Sequence, residues 1–201
     1  MTRAAAASAA ALALGLAAGC LGRPAPPDRF YRLEAAAPAR LSEPPLPGTL
    51  VVERLRADAL TRGTALLERE SASSPEVRKR RYAHWLDSPT LLLQREMTAA
   101  LRAAGIADRV LTPETRVPPD HTLGGQLLRF EEVRSGEGAH AVIEMEVVVV
   151  DERRGRLVLQ AVYREETPVA GPDAPAAVRA YDAALSALLV RLAADAAAAR
   201  P

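Results

Sequence analysis

Between residues 121 and 167 the apolar side chains recur at every second position in three runs, and no other stretch restricts the fold so tightly. The runs are 121–133, 139–150 and 156–167, separated by Ser135-Gly136-Glu137-Gly138 and Asp151-Glu152-Arg153-Arg154-Gly155. Extended runs joined by short, polar, glycine-bearing breaks predict an antiparallel meander. Ile143, Met145, Val147 and Val149 share one face of the middle run, and Leu157, Leu159, Ala161 and Tyr163 share one face of the third. A sheet with one apolar face needs a cover. Two helices are expected to supply it. The first has Ser88 as N-cap, Pro89 at the first helical position, Leu92, Leu93, Met97, Ala100, Leu101 and Ala104 at helical spacing, and Gly105 as the stop. The second runs from about Asp173 to Ala196, with Val178, Tyr181, Leu185, Leu188 and Leu192 on one stripe. The expected fold class is α+β: one domain whose mostly antiparallel sheet carries a C-terminal three-stranded meander and is packed by two amphipathic helices.

Upstream, the alternation of Phe30 and Arg32 with Tyr31 and Leu33 predicts a short strand, and the stretch Thr49-Leu50-Val51-Val52-Glu53 a second. Residues 57–60 are read as one helical turn, 65–69 as strand or helix, 77–85 as extended, and Val110-Leu111 as a short strand. Gly124-Gly125 reads as a bulge or a close backbone approach. It is no phosphate loop, because no Lys followed by Ser or Thr stands at the required spacing.

The N-terminus has the three-part layout of a secretory signal: Met1-Thr2-Arg3, an Ala- and Leu-rich run over 4–18, and small residues before Cys20. The run is shorter than the ~20 residues a membrane-crossing helix needs. Helix-breaking Gly22-Arg23-Pro24-Ala25-Pro26-Pro27 follows at once. Cys20 is the sole cysteine of the chain, and its place after Leu16-Ala17-Ala18-Gly19 resembles a bacterial lipobox, with Ala17 where that pattern prefers Leu. Cys20 is therefore read as the lipidated first residue of the mature protein; the alternative is an incidental residue near an ordinary cleavage site. The division expected is a signal peptide over 1–19, the lipidated cysteine and tether over 20–28, and one folded domain over 29–201. The tether spans at most ~25 Å when extended at ~3.1 Å per residue, which holds the domain close to a membrane.

Removing Arg3, the one charge of residues 1–19, from 26 leaves 25 basic against 25 acidic residues, so no net field is available to grip nucleic acid. Catalytic patterns are missing too. His84, His121 and His140 stand apart, no second cysteine completes a zinc site, and no Gly-x-Ser-x-Gly elbow occurs. Glu131-Glu132, Glu144 and Glu146 are read as a solvated strand face. No catalytic residue, metal or cofactor is expected. A hydrolase drawing an acid and a base from distant segments stays open as an alternative, as does a structural lipoprotein of the envelope.

The basic run before the first helix supplies the candidate site. Arg78-Lys79-Arg80-Arg81 blocks an edge strand against aggregation in one reading. In the other, Arg80, Arg81, Tyr82 and Trp85 contact an anion or bind a protein partner, since amphipathic rings and arginines suit interfaces. For Trp85 a second alternative is packing beneath the helix that begins at Ser88.

The lipobox-like leader and tether precede Phe30-Tyr31-x-Leu33, Val51-Val52, Arg81-Tyr82-x-x-Trp85 leading into Pro89, and Gly125-x-Leu127-x-x-Phe130-Glu131, in that order. This succession resembles the ABC-type transport auxiliary lipoprotein family, the paraquat-inducible protein C-like group, over essentially the whole mature chain. The resemblance implies a periplasmic lipoprotein, held by acyl chains such as palmitate, that works beside a mammalian-cell-entry-type lipid shuttle protein and its ABC transporter. It implies lipid transport and membrane integrity as the role, leaves self-association into a homo-oligomer open, and carries no catalytic residues. Leu21, which is not the Asp of inner-membrane retention, points to the outer membrane.

Overall fold

The computed structural model describes residues 25–136 and 138–199. Cys20, the signal over 1–19 and most of the tether lie outside these residues. The strands are β1 (Arg29–Tyr31), β2 (Leu46–Val52), β3 (Ala65–Arg69), β4 (Arg78–Trp85), β5 (Ala107–Leu111), β6 (His121–Ser135), β7 (Gly138–Asp151) and β8 (Arg156–Pro168). Helix α1 (Pro89–Ala104) lies between β4 and β5, and α2 (Ala174–Ala198) ends the described chain. Among the described residues no helix is long and apolar enough to cross a membrane.

The expected meander is present: β6 pairs antiparallel with β7, and β7 with β8, in the two longest ladders of a single mixed sheet. The other edge of β6 is forked. Its first residues pair in parallel with β2, from Leu50 opposite His121 to Val52 opposite Leu123. Its last residues pair in parallel with β3 through Glu68–Glu132 and Arg69–Val133. Outside β2 lies β5, also parallel; outside β3 lies antiparallel β4, and outside β4 the short parallel β1. The whole is one α+β domain in which the antiparallel ladders dominate.

Both helices cover one face of this sheet, α1 over β2 and β5 and α2 over β7 and β8. The enclosed core joins Leu50, Val52, Leu123, Leu127, Ile143 and Met145 of the sheet to Leu93, Met97 and Leu101 of α1 and to Leu185, Leu188 and Leu192 of α2. Periodicity selected these residues, because only every second strand residue and every third or fourth helical residue faces inward. The helix ends follow their punctuation in part. Gly105 adopts the left-handed conformation (φ 70°) that stops α1, and the Asp173 carboxylate accepts the Ala176 N–H at 2.9 Å to start α2. Ser88, expected to cap α1 through its side chain, does so only through its carbonyl, which receives the Leu91 and Leu92 N–H groups. Buried Gln94 then ties α1 to the sheet by donating to the Val52 carbonyl at 2.9 Å.

Two details of the meander depend on register. Gly125 has φ 144°, and a Cβ placed there would sit 2.0 Å from the Glu146 carbonyl oxygen, so the close backbone approach is real and only glycine fits it. Leu157 departs from its expected face. The β7–β8 register shifts between Val149 and Val150, which leaves Leu159, Ala161 and Tyr163 on the helix side and Leu157 53% exposed. A bulge of this kind reverses the facing of every residue beyond it.

Candidate functional site

Strand β4 carries the residues singled out from sequence, and the ladder around it sorts them. From Ala65 to Leu67 strand β3 advances two residues, while β4 must run from His84 back to Lys79 to match it, so β4 bulges between. Tyr82 lies in that bulge with φ 57°, a left-handed conformation that costs an aromatic residue roughly 1–2 kcal/mol. Strain held in place by surrounding structure concentrates at functional sites. β1 pairs only with Ala83, His84 and Trp85, so Arg78 to Arg81 stand on the open margin of β4. Beside them the N-terminal segment arrives. His84 Nε2 lies 3.4 Å from Asp28, and the Phe30 ring stacks near the His84 ring at 5.6 Å between centroids.

The four candidate residues do not form one surface. Arg81 and Tyr82 reach solvent. Arg80 folds inward: its Nη1 donates to Glu132 at 2.7 Å, and its Nη2 donates to the Pro172 carbonyl before α2. Trp85 is 1% exposed, which corrects its expected place as an interface anchor, because an enclosed ring presents nothing to a partner. It does not rest beneath α1 alone, either. Its ring meets Phe130 of β6 at 5.3 Å and the edge of Tyr181 of α2 at 5.2 Å, and Phe130 stacks on Tyr181 at 4.6 Å. Burial pushes the Tyr181 hydroxyl well above its ordinary pKa, with the nearby Glu132 and Glu131 charges adding to the shift.

The carboxylates next to this cluster overturn another expectation. Glu131 and Glu132, read as part of a solvated face, are both 4% exposed. They point to opposite faces of β6, and each is matched by arginine. Glu131 is held by Arg129 Nη2 at 2.7 Å and Arg69 Nη2 at 3.1 Å, and Glu132 by Arg80. Burial raises the pKa of Glu132, and the Arg80 and Arg134 charges oppose the rise. A signal for Glu132 existed in the sequence: it lies two residues beyond Phe130 in an alternating strand, hence on the core face, where a carboxylate requires a cation. Glu144 and Glu146 do lie near the surface, where Arg164 Nη1 and Gln160 Nε2 contact them at 2.6 and 2.7 Å.

The histidines remain separate. His121 is buried with both ring nitrogens unpartnered, and among the described residues no group of three or more His, Cys, Asp or Glu side chains is placed to hold a metal ion. The arrangement that does stand out is a surface: a strained, bulged strand margin bearing Arg81 and Tyr82, fixed from below by the Arg80–Glu132 pair and the Trp85–Phe130–Tyr181 stack.

Comparison with known proteins follows the same outline. The crystal structure of the protein XCC0632 from Xanthomonas campestris superposes with a TM-score of 0.72 at 19% identity, covering 82% of this chain and 92% of that one. A second crystal structure, of an uncharacterised protein, gives 0.61 at 15% identity, covering 86% and 98%. At these identities the likeness shows a shared fold. No curated protein matches the sequence. The model of the family described as the ABC-type transport auxiliary lipoprotein component matches residues 31–193, from β1 to the last turns of α2, and on that match the chain belongs to this family.

Proposed function

We propose that the protein is anchored through lipidated Cys20 to the periplasmic side of the outer membrane and serves, by binding and without catalysis, as an accessory of a mammalian-cell-entry-type lipid shuttle driven by an ABC transporter. The observation that carries this reading is the junction of two features. A lipobox-like leader ends at Cys20, and the family match begins at Tyr31, directly after the tether over 20–28. Acyl chains contribute ~0.8 kcal/mol per buried CH₂, so a cysteine carrying two or three of them stays at the membrane. The partner surface assigned is Arg81 and Tyr82, on the sheet margin where the anchored segment enters the domain. Arg80 and Trp85 hold that margin in shape.

Two measurements test it. Cys20→Ser is expected to abolish incorporation of labelled palmitate and to release the protein from the membrane fraction, or leave it as uncleaved precursor. Wild-type protein that takes up no label, together with a mutant that still sediments with outer membranes, would sink the anchor. Arg81→Glu combined with Tyr82→Ala is expected to leave melting within about 0.5 kcal/mol of wild type while reducing co-purification with the shuttle protein roughly tenfold or more. Co-purification at the wild-type level would remove this margin from the interface.

A further inference from the structure

At the fork of β6 the chain between β2 and β3 crosses the open middle of the strand edge, and it does so carrying Arg54, Arg56 and Arg62. The crossing is well fixed. Leu55 is buried, and a parallel bridge holds Arg56, whose N–H donates to the Gly125 carbonyl at 3.1 Å while its carbonyl accepts the Leu127 N–H at 2.7 Å. With Leu55 turned inward, the extended backbone sends Arg54 and Arg56 outward together. Arg62 follows a hydrogen-bonded turn in which its own N–H reaches the Asp58 carbonyl at 3.1 Å. The acid of that turn, Asp58, is engaged within it. The Asp58 carboxylate accepts the Leu60 and Thr61 N–H groups and the Thr61 hydroxyl at 2.7–3.0 Å.

The three arginines line a hollow of about 620 Å³ together with Leu55, Ser88 and Thr90, the last two from the start of α1. No carboxylate lines it. Arg54 and Arg56 also border the adjoining hollow on their other side, which holds Glu53 and Glu152, so the acid-free recess lies on the Arg62 and α1 side. Three further hollows hold other arginines with acids, Arg134 with Glu132, Arg69 with Glu131, and Arg153 and Arg154 with Asp120 and Asp151. Among the described residues Arg56 and Arg62 make no side-chain ion pair or hydrogen bond, and the acid that Arg54 influences, Glu114, lies outside the lining. The start of α1 adds to the same field, since it has no acidic residue in its first turn and its Ser88 side chain caps nothing.

We propose that Arg54, Arg56 and Arg62 form a binding site for a phosphate-bearing anion. Guanidinium groups match phosphate oxygens with paired N–H donors, and three of them around one recess favour a doubly bonded, charge-assisted contact over a single point charge. The ligand class is a phosphate ester or free phosphate, and a lipid headgroup and a soluble anion share that chemistry. The site is separate from the Arg81 and Tyr82 margin and stands whether or not that margin binds a partner.

The test is calorimetric titration of the full chain in non-ionic detergent with two probes, inorganic phosphate and the soluble short-chain lipid dihexanoyl phosphatidylglycerol. Wild type is expected to bind at least one of them, less tightly as salt rises from about 50 to about 500 mM. Arg54→Gln, Arg56→Gln and Arg62→Gln together should weaken that binding roughly tenfold or more without shifting the melting temperature, because all three residues are exposed. A control carrying Arg40→Gln, Arg156→Gln and Arg179→Gln, all exposed elsewhere, should bind as wild type. Displacement of the lipid by inorganic phosphate identifies the phosphate as the element recognised; preference for the lipid over free phosphate identifies a headgroup site. The proposal fails if wild type binds neither probe, if the triple variant binds as wild type, or if the control loses binding equally.

Discussion

Leu188→Asp is expected to leave no cooperative thermal or denaturant transition. Leu188 is fully enclosed at the centre of α2, within the cluster that joins both helices to the sheet. Losing its burial costs about 2–3 kcal/mol, and placing an unpaired carboxylate there costs several more. Against the ~5–15 kcal/mol that holds a whole domain together, a single change of that size is enough. Val190, two residues further on, is 53% exposed, so Val190→Asp on the same helix should melt within about 0.5 kcal/mol of wild type. Circular dichroism melts of the two variants decide the matter: a cooperative Leu188→Asp transition near that of wild type would mean that the stripe of α2 faces something other than this core.

The second large effect is expected at Trp85. Truncation to Ala removes the residue that touches both Phe130 and Tyr181, and should cost ~3–5 kcal/mol, including ~0.5–1.5 kcal/mol for each lost ring contact. For a domain of this length that corresponds to a fall in Tm of roughly 6–20 °C. Because Trp85 is the only tryptophan, tryptophan emission disappears with it, and near- and far-ultraviolet circular dichroism must follow the transition. Tyr82→Ala, three residues away on the strained bulge, should by contrast leave stability nearly unchanged or raise it slightly. If Trp85→Ala melts like wild type, the stack is not what supports the β4 margin.

The contrast between Tyr82 and Trp85 shows where the sequence could be read and where it could not. Period and punctuation are local properties, so the meander, both helices and the enclosed stripe of α2 were legible in the chain itself. Which neighbour a strand chooses is not local. Nothing near residues 50 or 68 announces that β2 and β3 share one edge of β6, and nothing near Arg80 names Glu132, fifty-two positions away, as its partner. The facing of Leu157 failed for a related reason, since a shift of one residue in the ladder leaves no trace in composition. Trp85 was ambiguous because the same side chain serves as a core ring or an interface ring, and only tertiary packing distinguishes them. The surface role proposed for Arg81 and Tyr82 draws on a backbone conformation that no residue pattern specifies, since tyrosine is not a residue chosen for positive φ.

The forked edge of β6 also bears on the order in which the chain acquires structure. β6, β7 and β8 follow one another through short turns and meet neighbours close in sequence, so they can assemble early. β3 can pair with β4 close by, but the contacts of β2 and β3 with β6 wait until residues 121–135 have been made, and β5 in turn leans on β2. The first half of the chain therefore has no finished sheet to join while it is being synthesised. A sheet that cannot close before residues 121–135 arrive is compatible with passage through a secretion channel, which a leader over residues 1–19 would direct.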